Sequence, residues 1–136
     1  MGVTNFDTVY AGGVQLNPYH EETIRFFVSD TQTTGTKKGG AIIGVAGTIV
    51  DVRAYLDTAP TGATFIVDVN INGTTAFTTQ GNRPTIAISG NASTTTIPDV
   101  VAVAAGDRIT FDTDQIGSGT AGSDLYVSVT LKRANV

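Results

Sequence analysis

Two aspartates close together in the chain have a spacing that could support chemistry. Asp112 and Asp114 are two residues apart in I-T-F-D-T-D-Q (109–115), which alternates like a β-strand, so both side chains point to one side of it. Glycoside hydrolysis needs a protonated carboxylic acid opposite a second carboxylate in a cleft. Ile109 and Phe111 take the other, buried side of the strand, so both aspartates are expected to face solvent. Two neighbouring solvated aspartates do not provide one protonated acid and one carboxylate. We therefore expect no catalytic pair here.

A divalent cation suits these aspartates better than catalysis does, because calcium binds several oxygen ligands. Asp112, Asp114 and Asp124 could supply carboxylates, and the loop at 117–122 could supply carbonyl oxygens. The D-x-D-x-D-G pattern of a calcium loop is absent from the chain. Solvated or turn-capping aspartates are therefore the favoured interpretation. We expect no cofactor, with calcium at these three residues as the alternative.

The remaining residue types do not predict an enzyme. The chain has one histidine, His20, in an irregular N-terminal segment, and it has no G-x-S-x-G motif. It has no cysteine, which excludes thiolate catalysis and cysteine-ligated zinc. We predict a protein without enzymatic activity. A small hydrolase is the minor alternative, and a substrate screen with an Asp112→Ala control would test it.

The charge of the chain excludes two classes of partner. The formal net charge is −4, and the eight basic residues are scattered, with adjacent pairs only at Lys37-Lys38 and Lys132-Arg133. Nucleic-acid binding normally needs a basic stripe, so we predict no nucleic-acid partner. The sequence has no apolar run of membrane-spanning length and no signal-peptide pattern at its start, so we predict no membrane partner.

Alternation of apolar and polar residues predicts an all-β domain. The clearest segments are T-I-R-F-F-V-S (23–29), T-I-V-D-V-R-A-Y-L (48–56), F-I-V-D-V-N-I (65–71) and D-L-Y-V-S-V-T-L (124–131). Asn72-Gly73 predicts a tight hairpin turn of type I′. We predict a single jelly-roll-like antiparallel β-sandwich over residues 23–136. The Gly/Thr-rich stretch 30–40 is interpreted as a polar loop.

Residues 1–22 are interpreted as an extended N-terminal arm. The arm has no sustained period but carries apolar side chains, which include Phe6, Tyr10, Leu16 and Tyr19. Such a segment either packs along its own domain or docks on a neighbouring subunit. We take these four residues as the partner-binding candidates.

Two tyrosines define a candidate face for carbohydrate. Tyr55 and Tyr126 have strand phases that place their side chains outward, where aromatic rings can stack on sugars. The chain has no tryptophan and no aromatic triplet within one strand, which disfavours a sugar platform. As an alternative function, these tyrosines and the loop 116–123 would form a glycan-binding face.

A set of motifs between Gly47 and Lys132 resembles a small jelly-roll module of tailed-bacteriophage virion proteins. The motifs are G-T-I-V-D-V-R-A (47–54), A-P-T-G-A-T-F-I-V-D-V-N-I-N-G-T-T-A-F-T-T-Q (59–80), N-R-P-T-I (82–86), A-A-G-D-R-I-T-F-D-T-D-Q-I-G (104–117) and A-G-S-D-L-Y-V-S-V-T-L (121–131). The resemblance covers roughly two-thirds of the chain, and the arm and the Lys37-Lys38 segment lie outside it. That family has no catalytic residues to carry over, so the resemblance implies a fold and a virion setting.

Such modules resemble both head decoration (cement) proteins and building blocks of fibres or tails. The chain starts at Met1, ends soon after its last predicted strand and has no coiled coil or fibre repeat, which favours the stand-alone role. The resemblance then implies a homotrimer on the capsid exterior of a virion, bound to the major capsid protein and assembled in the host cytoplasm. The alternatives are a carbohydrate-binding module that attaches virions to host or environmental glycans, and a tail- or fibre-associated structural protein.

Overall fold

The computed structural model describes residues 9–11, 14–16 and 19–134, with side chains from His20 to Arg133. These residues form eleven strands: β1 Val9–Ala11, β2 Val14–Leu16, β3 Tyr19–Thr31, β4 Gly35–Ile42, β5 Gly47–Thr58, β6 Phe65–Ile71, β7 Thr74–Thr75, β8 Thr85–Ile86, β9 Ala102–Val103, β10 Arg108–Gln115 and β11 Ser123–Ala134. A short 3₁₀ helix spans Gln80–Asn82.

Two antiparallel sheets pack face to face as a sandwich. One sheet has the strand order β4-β10-β6-β7, with β8 also paired to β6, and the other has the order β3-β11-β5-β9. The predicted fold class, a jelly-roll-like antiparallel β-sandwich, is confirmed. The hairpin of β1 and β2 forms a separate two-stranded sheet.

The core lies between the two sheets and is built from alternate residues of each strand. In β5, Val52, Ala54 and Leu56 are buried, whereas the intervening Arg53 and Tyr55 are exposed. The largest fully buried side chains include three phenylalanines: Phe65, Phe77 and Phe111. Burial of one such side chain contributes about 1.5–3 kcal/mol. This dense core fixes the strands whose outer faces are available for binding.

Strand β4 occupies much of the stretch 30–40, for which the sequence predicts a loop. It pairs antiparallel with β10, and Gly39 lies opposite Phe111. A Cβ atom at residue 39 would lie 2.6 Å from Cε1 of Phe111, so glycine is what allows the strand to approach that ring. The loop prediction is wrong here because glycines leave no apolar alternation to detect.

The strand that follows the arm starts earlier than the sequence predicts. Strand β3 begins at Tyr19, which pairs with Ala134 at the end of β11. Glu22 forms a salt bridge of 2.7 Å with Arg133, which is 7% exposed. Residues 19–22 therefore belong to the sandwich in the structure. The apolar alternation that reveals the strand in the sequence begins only at Ile24.

Candidate binding face

Three exposed aromatic rings lie side by side on the outer face of the sheet β3-β11-β5. Tyr126 of β11 pairs directly with Phe27 of β3 and with Tyr55 of β5. The ring centroids of Phe27 and Tyr126 are 4.8 Å apart, and those of Tyr55 and Tyr126 are 6.0 Å apart. Phe27 is 55% exposed, and each tyrosine is 43% exposed. We call these three residues the aromatic row.

Strand alternation and register together create the aromatic row. Successive strand residues face opposite sides of the sheet. Phe26 therefore points inward, where its ring lies 5.3 Å from that of Phe111, while Phe27 points outward. Neighbouring strands are about 4.8 Å apart, so three outward rings in one register must touch.

Two arginines form the next row of the same face. Arg25 of β3 and Arg53 of β5 both pair with Ser128 of β11, two residues along each strand from the aromatic row. We call these three residues the arginine row. Two strand residues span about 7 Å, which sets the distance between the rows along the strands.

Each of the two arginine side chains makes a single hydrogen bond within the described part of the chain. Nε of Arg53 donates to Oδ2 of Asp51 at 2.7 Å, and the arginine side chain is 61% exposed. Nη1 of Arg25 donates to the carbonyl oxygen of Thr23 at 3.4 Å. Within the described part of the chain, both guanidiniums therefore keep donors that an external anion can use.

A groove of about 350 Å³ runs between the two rows. Its lining includes Arg25, Arg53, Tyr55, Tyr126 and Ser128. Its volume is near the lower end of the range of about 300–1,000 Å³ that is typical of small-molecule sites. A second, more open groove of about 630 Å³ continues beyond the arginine row.

The segment after β8 forms one wall of the first groove. Ala92 makes an isolated bridge with Tyr55. Next to it, Ser93 Oγ accepts a hydrogen bond of 2.9 Å from the backbone N–H of Ala54, and the backbone N–H of Ser93 donates to the Ala54 carbonyl oxygen at 2.9 Å. These bonds attach the wall to β5, so the groove is shaped by the backbone as well as by side chains.

Tyr126 is oriented by a hydrogen bond. Its Oη donates to Oδ2 of Asp57 at 3.0 Å. This bond is the main cause that raises the pKa of Tyr126 above its usual value, and desolvation and the negative charges of Asp57 and Asp124 act in the same direction. The phenol therefore stays neutral at physiological pH. Its hydrogen bond to Asp57 holds the ring between its two neighbours.

Phe27 and the two arginines are not among the binding residues predicted from the sequence. The phase of T-I-R-F-F-V-S places Arg25 and Phe27 outward, but only the register of three separate strands brings them beside Tyr126 and Arg53. The predicted loop 116–123 packs elsewhere: the N–H of Gly119 donates to the carbonyl oxygen of Thr61 at 2.9 Å. The described lining of the groove includes no residue of that loop.

The three calcium candidates have separate surroundings. Asp112 accepts a hydrogen bond of 2.9 Å from the backbone N–H of Lys37. Asp114 forms a salt bridge of 2.6 Å with Arg83, and Asp124 lies on the other sheet, in β11. Among the described residues, no group of three histidine, aspartate or glutamate side chains could hold a metal ion. Calcium binding at these aspartates stays a prediction.

The partner-binding candidates fall on the arm. Phe6 lies outside the described residues. Tyr10 and Leu16 lie in β1 and β2, and Tyr19 begins β3, but their side chains lie outside the described part. Val9 pairs with Leu16 across the hairpin. Their role in binding stays a prediction.

Comparison with known proteins gives a distant structural likeness. No protein-family model matches the chain, and no curated protein sequence matches it. A solved structure described as "Cyanophage Pam1 capsid asymmetric unit" is similar over 96% of this chain and 96% of that chain, with a TM-score of 0.37 and 16% sequence identity. This TM-score does not establish a common fold, so the fold rests on the strand pairing described above. Among the described residues, no helix is long and apolar enough to cross a membrane.

Proposed function

We propose that the chain is a structural protein of a tailed-bacteriophage virion that decorates and stabilises the capsid. In this proposal it binds the major capsid protein on the capsid exterior as a homotrimer, after assembly in the host cytoplasm. It has no enzymatic activity and binds neither nucleic acid nor membrane. One structural observation carries the proposal: the chain divides into a closed sandwich and a separate N-terminal hairpin. The motif set that resembles phage virion modules lies within the sandwich.

The hairpin is the part of the chain that we expect to contact a neighbour. An isolated two-stranded hairpin is marginally stable in water. Among the described strands, β1 and β2 pair with each other and with neither sandwich sheet. Their sequences V-Y-A and V-Q-L are largely apolar. A neighbouring subunit or the capsid could cover these strands, and the symmetry of a shell would repeat that contact many times.

The test of this proposal is the mass of the full chain in solution, measured by light scattering after size exclusion. We expect three times the chain mass of 14.0 kDa. A full-length variant with Tyr10→Ala and Leu16→Ala should form a smaller species, because the hairpin loses its two largest apolar side chains. Substitution is preferable to a truncation at Thr23, which would remove the first four residues of β3.

A matched control substitutes exposed apolar residues of the sandwich, Ile88→Ala and Ile97→Ala, which are 51% and 58% exposed. This control should keep the wild-type mass. Cosedimentation with heads assembled from the major capsid protein of the same virus then tests capsid binding. A hairpin variant that stays trimeric and still binds heads at wild-type level would contradict the proposal.

A second candidate function is carbohydrate binding. The aromatic row favours it, because the two tyrosines predicted as a glycan face are direct neighbours and a third ring extends them. A glycan array would separate this function from capsid decoration. Immunogold labelling of purified virions would separate both from the remaining alternative, a tail- or fibre-associated structural protein.

A further inference from the structure

We propose that the aromatic row and the arginine row together bind a saccharide chain that carries a carboxylate. The ligand class is an oligosaccharide of neutral sugars that carries one uronic or sialic acid unit. This inference rests on the second candidate function, carbohydrate binding, and it names the ligand of that site.

The arrangement of the rings favours a single saccharide chain over a flat polysaccharide surface. The ring planes of Phe27 and Tyr126 are inclined by 48°, and those of Tyr55 and Tyr126 by 61°. Three rings inclined in this way cannot all lie against one plane. They can contact successive units of one twisted chain, whose C–H faces pack on aromatic faces.

The arginine row supplies the charge recognition. Guanidinium groups bind carboxylates through two parallel hydrogen bonds, and such charge-assisted bonds are stronger than neutral ones. Arg25 and Arg53 lie on either side of Ser128, whose hydroxyl can serve as a further donor or acceptor. A sugar unit stacked on Tyr126 would reach this row with a carboxylate substituent, because the rows are about 7 Å apart.

Acidic side chains beyond the arginine row limit where the ligand can carry charge. Asp51 and Glu21 both line the second groove, together with the hydroxyl-bearing Thr23 and Thr130. The two threonine hydroxyls lie 3.1 Å apart. A carboxylate placed there would face like charges, whereas a neutral sugar would meet hydroxyls. The face therefore fits a chain that lies along the aromatic row, with one carboxylate directed to the arginine row and only neutral groups beyond that row.

The aromatic row lies far from the arm along the strand. From Tyr19, where the arm joins β3, to Phe27 is eight residues, or about 27 Å of extended strand. A saccharide could therefore bind while the arm is docked on a neighbour.

The experiment is isothermal titration calorimetry of the full chain against matched ligand pairs. One pair is xylotriose with and without a glucuronic acid branch, and the other is 3′-sialyllactose with lactose. Within at least one pair, we expect the acidic member to bind about tenfold more tightly, as one good charge-assisted interaction provides. The two pairs distinguish a uronic acid from a sialic acid as the source of the carboxylate.

Substitutions distinguish the contributions of the two rows to saccharide binding. Arg53→Ala and Arg25→Ala should each remove most of the preference for the acidic member and leave the affinity for the neutral member nearly unchanged. Arg108→Ala, which removes an exposed arginine of the other sheet, should change neither affinity. Tyr126→Ala should weaken both members by about fivefold or more, because it removes the central ring. Tyr126→Phe keeps that ring and should retain binding, which separates a lost contact from a lost fold.

The outcomes are decisive in each direction. Equal affinity within both pairs overturns the charged-ligand inference but leaves carbohydrate binding in place. No binding of any of the four saccharides overturns both, without bearing on capsid decoration. Polyglutamate binding as tightly as the acidic saccharides would overturn the inference, because charge alone would then explain the affinity. A preference that survives in the Arg25→Ala, Arg53→Ala double variant would also overturn it.

Discussion

Two consecutive phenylalanines illustrate how this protein divides its residues between core and surface. Phe26 packs near Phe111 in the core, whereas Phe27 is 55% exposed beside Tyr126. An exposed ring adds little to the stability of its own fold, and it contributes to binding when a partner covers it. The same division applies along β5, where Leu56 is buried and Tyr55 is exposed.

One buried hydroxyl lacks a hydrogen bond. Thr113 is 1% exposed, and its Oγ1 has no hydrogen-bond partner among the described residues. A buried polar group left unsatisfied lowers stability. We expect Thr113→Val, which replaces the hydroxyl with a methyl group of similar size, to raise the free energy of unfolding by about 1 kcal/mol. Urea denaturation with an unchanged m-value would measure this.

The matched control is Thr110→Val in the same strand, at a half-buried position. It should change the free energy of unfolding by less than about 0.5 kcal/mol. Equal effects of the two substitutions would contradict the explanation, because β-propensity alone would then account for both.

A buried carboxyl group predicts a pH-dependent stability. Asp68 is 6% exposed, and its Oδ1 accepts a hydrogen bond of 2.7 Å from Thr75 Oγ1. Burial is the largest effect and raises the pKa of Asp68 above its ordinary value of 3.8; the nearby charge of Asp114 also raises it, and the Thr75 bond opposes the shift. The folded state thus binds the proton more tightly than the unfolded chain, and the resulting stability is lost as pH rises through the folded pKa.

We therefore expect Asp68→Asn, which stays neutral, to become more stable relative to the wild type as pH rises from about 3 to about 7. Chemical denaturation at a series of pH values would measure the difference between the two proteins. Asp30→Asn, at an exposed position, serves as the control. A difference that is constant with pH would show that Asp68 does not titrate as its burial implies.

At the scale of elements, turns and edges follow from backbone geometry. Asn72 and Gly73 have φ angles of 53° and 86°, which suit the type I′ turn predicted between β6 and β7. Positive φ is unfavourable for residues with a Cβ atom, by about 1–2 kcal/mol. Asparagine and glycine therefore adopt a positive φ at this turn that is unfavourable for most other residues.

We expect Gly73→Ala to lower the free energy of unfolding by about 1 kcal/mol through backbone strain alone. A Cβ at position 73 would meet no atom within 4 Å, so no steric clash contributes. Gly44→Ala is the matched control, because its Cβ also meets no atom within 4 Å and its φ is not positive. It should change stability by less than about 0.5 kcal/mol. Thermal or urea unfolding of both variants would decide, and equal losses would refute the strain argument.

At the scale of the whole molecule, the two proposed functions use different parts of the chain. The hairpin lies outside both sandwich sheets, and the aromatic row lies on the outer face of one of them. The core cluster between the sheets includes none of the three side chains of the aromatic row, so that face can serve binding. A virion protein built in this way could hold a shell through one region and a saccharide through the other.

This separation predicts that each of the two properties, trimer formation and saccharide binding, can be lost without the other. The Tyr10→Ala, Leu16→Ala variant should lose the trimer and keep saccharide binding, whereas the Tyr55→Ala, Tyr126→Ala variant should keep the trimer and lose saccharide binding. Light scattering and calorimetry on the same samples would measure both properties. Loss of the trimer in the tyrosine variant would place the subunit interface on the aromatic row and contradict the assignment.

The sequence by itself determined the fold class, because apolar and polar residues alternate over 52–56 in β5 and along β6 and β11, which places the apolar side chains of each strand on one face. It also determined the tight turn at Asn72-Gly73 and the outward direction of Tyr55 and Tyr126, since both follow from local backbone geometry. Only the tertiary structure decided that β4 is a strand, because its glycines carry no apolar pattern and Gly39 allows the strand to approach the ring of Phe111. Only the tertiary structure decided that Phe27, Arg25 and Arg53 join the tyrosines. Register between strands distant in the chain is set by the packing of the whole core, which no single segment encodes.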